Sequence, residues 1–118
     1  MGVTPKPVVR AVWERDDGLC AWHGDACDPD TRVPQHRQGG MGGSKRKHRL
    51  SNIVILDSLT NGLIESDPDM AAEARRRGIK ISQHDDPRHV PVTYPDGTYW
   101  LTDDGRRVPA GDPENTPF

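Results

Sequence analysis

The sequence is poor in the residues that build a large hydrophobic core. Hydrophobic residues make up 32% of its 118 positions and aromatic residues 5%, which predicts a single domain with a small core. Because small domains bury a smaller share of their surface, they often depend on a metal, a ligand or a partner for stability. Because apolar side chains are scarce, polar residues are the first candidates for a metal or ligand site.

Cysteine is also scarce, and long apolar runs are missing. Only Cys20 and Cys27 occur, and nothing in the sequence has the pattern of a signal peptide or a membrane span. We therefore expect a cytoplasmic protein that does not enter a membrane. A disulfide is disfavoured in that compartment, which leaves the two cysteines either free or metal-bound.

An excess of positive charge is missing as well, since the formal net charge is −2. The charges are nevertheless unevenly distributed, because the last third of the chain is acidic and the centre is basic. The basic centre consists of Arg32, Arg37, Lys45, Arg46, Lys47 and Arg49. A local basic segment of this kind can contact phosphates although the whole chain is not basic.

Proline and glycine are plentiful, with 11 and 12 residues, and they divide the chain into short elements. Apolar spacing and turn residues predict helices over 8–16, 58–66 and 69–77, and strands over 31–36 and 50–57. They also predict a short strand from Ile79 and a hairpin over 94–101. We expect an α+β fold divided into an N-terminal tail (1–7), a main domain (8–82), a β-hairpin extension (83–109) and a disordered tail (110–118).

Three polar residues around the central hairpin could carry chemistry. His36, at a predicted strand end, has a side chain suited to general-base catalysis near neutral pH. Asn52 could orient the loop or the imidazole, and the amide oxygen of Asn61 could bind a hard divalent cation. The plainer alternatives are a solvated histidine, a strand-start asparagine and an asparagine that satisfies local amides.

These residues belong to an ordered series of segments. The segments are Val12–Cys20, Gln35–Arg37, Gly40–Ser44, Leu50–Leu56, Asn61–Ser66 and Asp86–Val92. In this order they resemble the HNH endonucleases of the ββα-metal, or His-Me finger, group, particularly small members from actinobacteria and their phages. The resemblance implies a small ββα-metal domain with flanking helices and a C-terminal β-hairpin extension.

The same resemblance implies a metal-dependent endonuclease that hydrolyses DNA phosphodiester bonds with Mg²⁺ or Mn²⁺. His36 then corresponds to the general base, Asn52 to the middle asparagine of the motif, and Asn61 to the final, metal-binding position. Gln35 replaces the acid or histidine that usually supplies a second metal ligand. The expected phosphate contacts are Arg37, Lys45, Arg46, Lys47 and Arg49.

Many members of this family also hold a structural zinc ion in two Cys-x-x-Cys knuckles. Here Cys20, His23 and Cys27 could supply three ligands. Structural zinc takes four soft or imidazole ligands, so the shortfall argues against zinc.

Two other functions remain open at this stage. The chain could be a catalytically degenerate HNH fold that binds a protein, for example a phage packaging or host protein, or it could bind nucleic acid without cleaving it. A phage-encoded protein would act in the host cytoplasm. The sequence leaves the oligomeric state undetermined.

Overall fold

Helices and strands occur in separate groups along the chain, which confirms the expected α+β class. The computed structural model describes residues 4–25, 30–39, 45–111 and 117, and within them the chain forms three helices and two small antiparallel sheets. The elements are α1 (Lys6–Arg15), β1 (Arg32–His36), β2 (Ile53–Asp57), α2 (Ser58–Ser66), α3 (Pro68–Arg76), β3 (Val92–Tyr94), β4 (Gly97–Leu101) and β5 (Arg107–Pro109). None of the helices in these ranges is long and apolar enough to span a membrane.

Strands β1 and β2 form the antiparallel hairpin that the sequence predicts. His36 lies opposite Ile53 at one end, and Arg32 lies opposite Asp57 at the other. Strand β2 begins three residues later than expected, because Leu50–Asn52 forms a 3₁₀ turn. All of its apolar residues are buried, since α1 and α2 both contact this strand.

Side-chain caps fix the starts of α2 and α3. The Asp57 carboxylate accepts a hydrogen bond of 2.8 Å from the Thr60 backbone N–H, and Asp67 accepts one of 2.9 Å from that of Asp69. Such caps satisfy amides that have no partner inside the helix. Helix α3 ends just before Gly78, which has a φ of +71°, a conformation that costs glycine little.

The second sheet contains strands β3, β4 and β5 in that order. The expected hairpin at Pro95 and Asp96 is present, and β5 adds a third strand. Its buried residues Val92, Tyr94 and Leu101 belong to the same core cluster as the first hairpin. The strand expected near Ile79 is absent from this described segment. The expected disordered tail lies largely outside the described residues.

A buried polar group links α1 to both sheets. The Arg15 guanidinium pairs with Asp16 at 2.8 Å and donates to the backbone carbonyl of Ile53, while the Tyr94 hydroxyl donates to Asp16 at 3.0 Å. Burial raises the Tyr94 pKa far above its usual value, so the phenol keeps the proton that it donates. The polar atoms of this group are thus paired inside the core, as buried polar atoms must be.

Candidate active site

His36 lies at the last position of β1, and its imidazole is half-buried. Its Nε2 atom lies 3.2 Å from Nδ1 of His48, and the two rings are tilted by 54°. His48 belongs to the 3₁₀ turn Lys45–His48 in the segment that joins the two strands. Sequence reasoning left His48 out of the site, because a histidine within a basic run has no periodicity that would mark it.

The surroundings of His36 favour its neutral form. Burial lowers its pKa below the usual 6.5, and electrostatic interactions with His48 and Lys47 lower it further. A neutral imidazole has one basic nitrogen, which is what a general base requires. The site therefore holds a histidine that can accept a proton at neutral pH.

Asn52 fastens together the two ends of the segment between the strands. Its buried side chain accepts a hydrogen bond of 3.0 Å from the Gln38 backbone N–H and donates one of 2.9 Å to the carbonyl of Lys47. Of the two roles considered for Asn52, orienting the loop is the one these contacts perform. His36 and His48 flank these two anchored residues, so Asn52 helps to set how far apart the imidazoles lie.

Asn61 lies in the first turns of α2, and its side-chain oxygen has no partner within the described part of the chain. The Oδ1 atom is buried, and no donor among the described residues reaches it. Leaving a buried acceptor unpaired costs about 1–3 kcal/mol, and such an atom often indicates a site for water or an ion. This oxygen is the kind of ligand that Mg²⁺ and Mn²⁺ prefer.

Gln35 precedes His36 on β1 and offers less to a metal ion. Adjacent strand residues point to opposite faces, so Gln35 shares the face of Val33 and His36 that of Pro34. The Gln35 amide nitrogen donates to the carbonyl of His36 at 3.0 Å. Gln35 can add only one neutral oxygen to a metal site.

Arg37 lies in the interior of the protein. Its side chain is fully buried, and its guanidinium donates at 2.5–2.8 Å to four backbone carbonyls. The acceptors are Gly78, Ser51, Pro87 and Val90. The structure therefore does not support Arg37 as a phosphate contact, because phosphate cannot reach a guanidinium enclosed by carbonyl oxygens.

The basic segment is also partly neutralised. The Arg49 guanidinium lies 2.6 Å from the Asp103 carboxylate and 3.6 Å from that of Asp86. Arg46 is exposed and Lys47 is half-buried. Arg49, one of the expected phosphate contacts, is therefore already paired with two carboxylates.

An open groove of about 630 Å³ begins at Gly39, three residues after His36. It is lined by the cationic side chains of Arg75 and Lys80 and by His84, together with the carboxylate of Asp85. The Ile81 backbone N–H bonds to the carbonyl of Arg37 at 2.9 Å, which joins the groove segment to the residue that follows β1. Sequence reasoning missed the groove, since its walls lie about 40 positions after β1.

The residues considered for zinc lie at the start of α2. The Cys20 thiol lies 3.8 Å from the Asp57 carboxylate, and His23 Nε2 lies 3.2 Å from the same oxygen and 3.0 Å from the Thr60 hydroxyl. Burial pushes the Asp57 pKa upward, but hydrogen bonds from Thr60 outweigh it and the net pKa is lowered. Cys27 lies outside the described residues. Among those described, no three or more acidic, histidine or cysteine side chains form a group suited to a metal ion.

In comparisons with protein families, curated proteins and solved structures, the chain matches none of them.

Proposed function

We propose that the chain is a metal-dependent HNH-type endonuclease that hydrolyses DNA phosphodiester bonds. The observation that carries this proposal is the contact between His36 and His48 at the end of β1. It provides a half-buried imidazole with a lowered pKa, held by a second imidazole on a loop that Asn52 fastens. This is the arrangement of a positioned general base.

In the proposed mechanism, His36 Nε2–H is the donor in the contact between the two histidines. When His36 Nε2–H donates to Nδ1 of His48, the lone pair of His36 resides on its own Nδ1. That atom takes a proton from water, the water oxygen bonds to phosphorus, and the bond to the leaving oxygen breaks. His48 is then a positioning residue, because it selects the reactive tautomer and orients the ring.

Asn61 is the residue best suited to hold the divalent cation. Its unpaired, buried Oδ1 fits a ligand role, and Gln35 is the second candidate. A Mg²⁺ or Mn²⁺ ion at this place would polarise the phosphodiester and stabilise the leaving oxygen. Water would have to supply the remaining ligands, since Mg²⁺ usually keeps several.

The groove that begins at Gly39 provides a path for the DNA backbone. Arg75, Lys80 and His84 line it together with the Asp85 carboxylate, and Lys80 lies 3.8 Å from Glu65. Cations that are not fully neutralised attract phosphates and position a strand without reading its sequence. Together with Arg46, they replace Arg37 as the proposed phosphate contacts.

A plasmid-nicking assay tests the proposed activity. Supercoiled plasmid is incubated with the protein and Mg²⁺ or Mn²⁺, and the His36→Ala variant is compared with His89→Ala. His89 is exposed and lies in a separate 3₁₀ turn, so this matched variant should cleave like the parent. We expect nicking by the parent and a loss of at least about 100-fold in His36→Ala, since general-base catalysis contributes about 10²–10⁴-fold. No cleavage by the parent, or equal cleavage by His36→Ala, would refute the proposal.

The Gln35 amide favours a second candidate, a degenerate HNH fold that only binds a partner. A neutral side chain bonded to the backbone carbonyl of His36 is a weak replacement for an anionic ligand. Isothermal titration with Mn²⁺ distinguishes the two functions. Binding that disappears in Asn61→Ala favours catalysis, whereas no Mn²⁺ binding together with no cleavage favours the module.

A further inference from the structure

A second basic surface lies away from the candidate active site. Four residues of α1 line a pocket of about 460 Å³, and Arg32 at the start of β1 closes it. The four are Lys6, Val9, Arg10 and Trp13. Their spacing of three, four and seven residues places them on one face of the helix. We call this the Trp13–Arg32 pocket.

The cations of this pocket have no acidic partner among the described residues. No carboxylate in the described ranges lies within 4 Å of the charged groups of Lys6, Arg10 or Arg32. Asp57 faces Arg32 across the hairpin, but its carboxylate binds Thr60 instead. Three positive charges therefore surround an apolar floor, and no described carboxylate compensates them locally.

A comparison within the molecule shows what is unusual about Arg32. Its guanidinium lies over the Trp13 ring at 4.2 Å, and that of Arg77 lies over Trp22 at 4.1 Å. Arg77 also pairs with Glu73 at 2.9 Å and donates to a backbone carbonyl. Arg32 lies at nearly the same distance from its ring without these acceptors. A stacked guanidinium keeps its edge donors in a fixed fork that matches phosphate.

The pocket and His36 lie on the same side of β1. Residues two and four apart in a strand share a face, so Arg32, Pro34 and His36 point in one direction. At about 3.3 Å per residue, Arg32 and His36 are about 13 Å apart along the strand. Because a DNA strand rises 3.4 Å per nucleotide along the helix axis, this distance spans at most about four nucleotides.

We propose that the Trp13–Arg32 pocket binds a backbone phosphate of DNA, a few nucleotides from the bond next to His36. Arg32 grips the phosphate, and Arg10 and Lys6 add charge. This inference rests on the proposed function in its choice of DNA. The guanidinium fork and the alignment with His36 favour DNA over an acidic peptide.

The test measures binding without cleavage. A fluorescein-labelled 20-base-pair duplex is titrated in EDTA at several salt concentrations, and the anisotropy gives Kd. The double variant Arg10→Gln/Arg32→Gln is compared with Arg76→Gln/Arg106→Gln, which removes the same charge from exposed arginines paired with acids. Arg32→Lys, which keeps the charge but loses the fork, is the third variant.

We expect the pocket double variant to bind the duplex at least about tenfold more weakly, because each charge-assisted hydrogen bond that it removes is worth about 1.5–3 kcal/mol. The slope of log Kd against log salt should fall by about 0.9 for each phosphate that the variant no longer neutralises. The Arg76/Arg106 control should keep the parent slope, and Arg32→Lys should keep the slope but bind more weakly.

Three outcomes would overturn the inference: a parent that does not bind the duplex, equal binding by the two double variants, or Arg32-dependent binding of polyglutamate but not of DNA. A separate plasmid-nicking assay distinguishes failure of this inference from failure of the proposed nuclease function. If the parent cleaves plasmid and both double variants bind the duplex equally, the pocket proposal is wrong and the proposed activity stands. If the parent binds the duplex through Arg32 but does not cleave plasmid, the pocket proposal stands and the proposed activity is wrong.

Discussion

Replacing Arg37 distinguishes a structural arginine from a phosphate ligand. The Arg37→Gln substitution removes a buried guanidinium that holds four carbonyls from separate parts of the chain. Burial lowers the pKa of Arg37 to about 10, so the group stays charged at pH 7 and its hydrogen bonds are charge-assisted. Glutamine is too short and has too few donors to replace them.

The expected loss of stability is large. Hydrogen bonds to a charged group contribute about 1.5–3 kcal/mol each, but the four are not additive and removing the charge also relieves its desolvation. We therefore expect Arg37→Gln to lower the free energy of unfolding by about 3–5 kcal/mol, because several buried carbonyls lose their donor at about 1–3 kcal/mol each. Arg37→Lys keeps the charge without the fork and should lose about 1–3 kcal/mol, the cost of one unpaired carbonyl.

Urea unfolding followed by tryptophan fluorescence measures the loss, with exposed Arg106→Gln as the control that should change by no more than about 0.5 kcal/mol. A loss of this size can leave Arg37→Gln unfolded, because small proteins have only about 5–15 kcal/mol in total. If Arg37→Gln does not fold, the loss of stability in Arg37→Lys is measured instead. An Arg37→Gln variant with parent-like stability and weakened DNA binding would refute the structural role.

Three further predictions follow from the site and its support. Gly78→Ala should destabilise the fold by more than the roughly 1–2 kcal/mol of a left-handed conformation, since its Cβ would lie 2.1 Å from the Pro91 carbonyl oxygen; a urea midpoint equal to the parent's would contradict this. Because only neutral His36 accepts a proton and its pKa is lowered, nicking rates should fall as pH falls through an apparent pKa below 6.5. His48→Asn should raise this apparent pKa. An apparent pKa above 6.5 in the parent would contradict the assignment of His36 as the general base. Asn52→Asp cannot donate to the loop carbonyl and should cost about 1–3 kcal/mol in urea unfolding, whereas unchanged stability would show that the loop is held in another way.

Local signals account for the elements that the sequence predicts well. Asp57 and Asp67 each precede a helix and can bond to its first amides, so both starts could be placed within a residue or two. The glycine after α3 marks its end in the same way. The β-branched run over 50–57 predicts a strand, but Leu50–Asn52 forms a 3₁₀ turn, because backbone amides of this turn bond to Arg49 and Asp103.

The sequence could identify His36, Asn52 and Asn61 as candidates, because each follows from a local position in a strand or helix and from the order of the motif. It could not assign their neighbours. His48 meets His36 only when the loop closes, and the pocket at Arg32 exists only when α1 packs beside β1.

Arg37 shows the limit most clearly. By sequence it is one more cation in a basic stretch, and an exposed arginine beside a candidate base is the ordinary expectation. Its acceptors lie 14, 41, 50 and 53 positions away, beyond the reach of any local pattern. The sequence by itself determined the elements and the candidate residues, because turns, caps and periodicity act over a few positions. Only the tertiary structure decided which cations are enclosed and which face solvent, because that depends on contacts between distant segments.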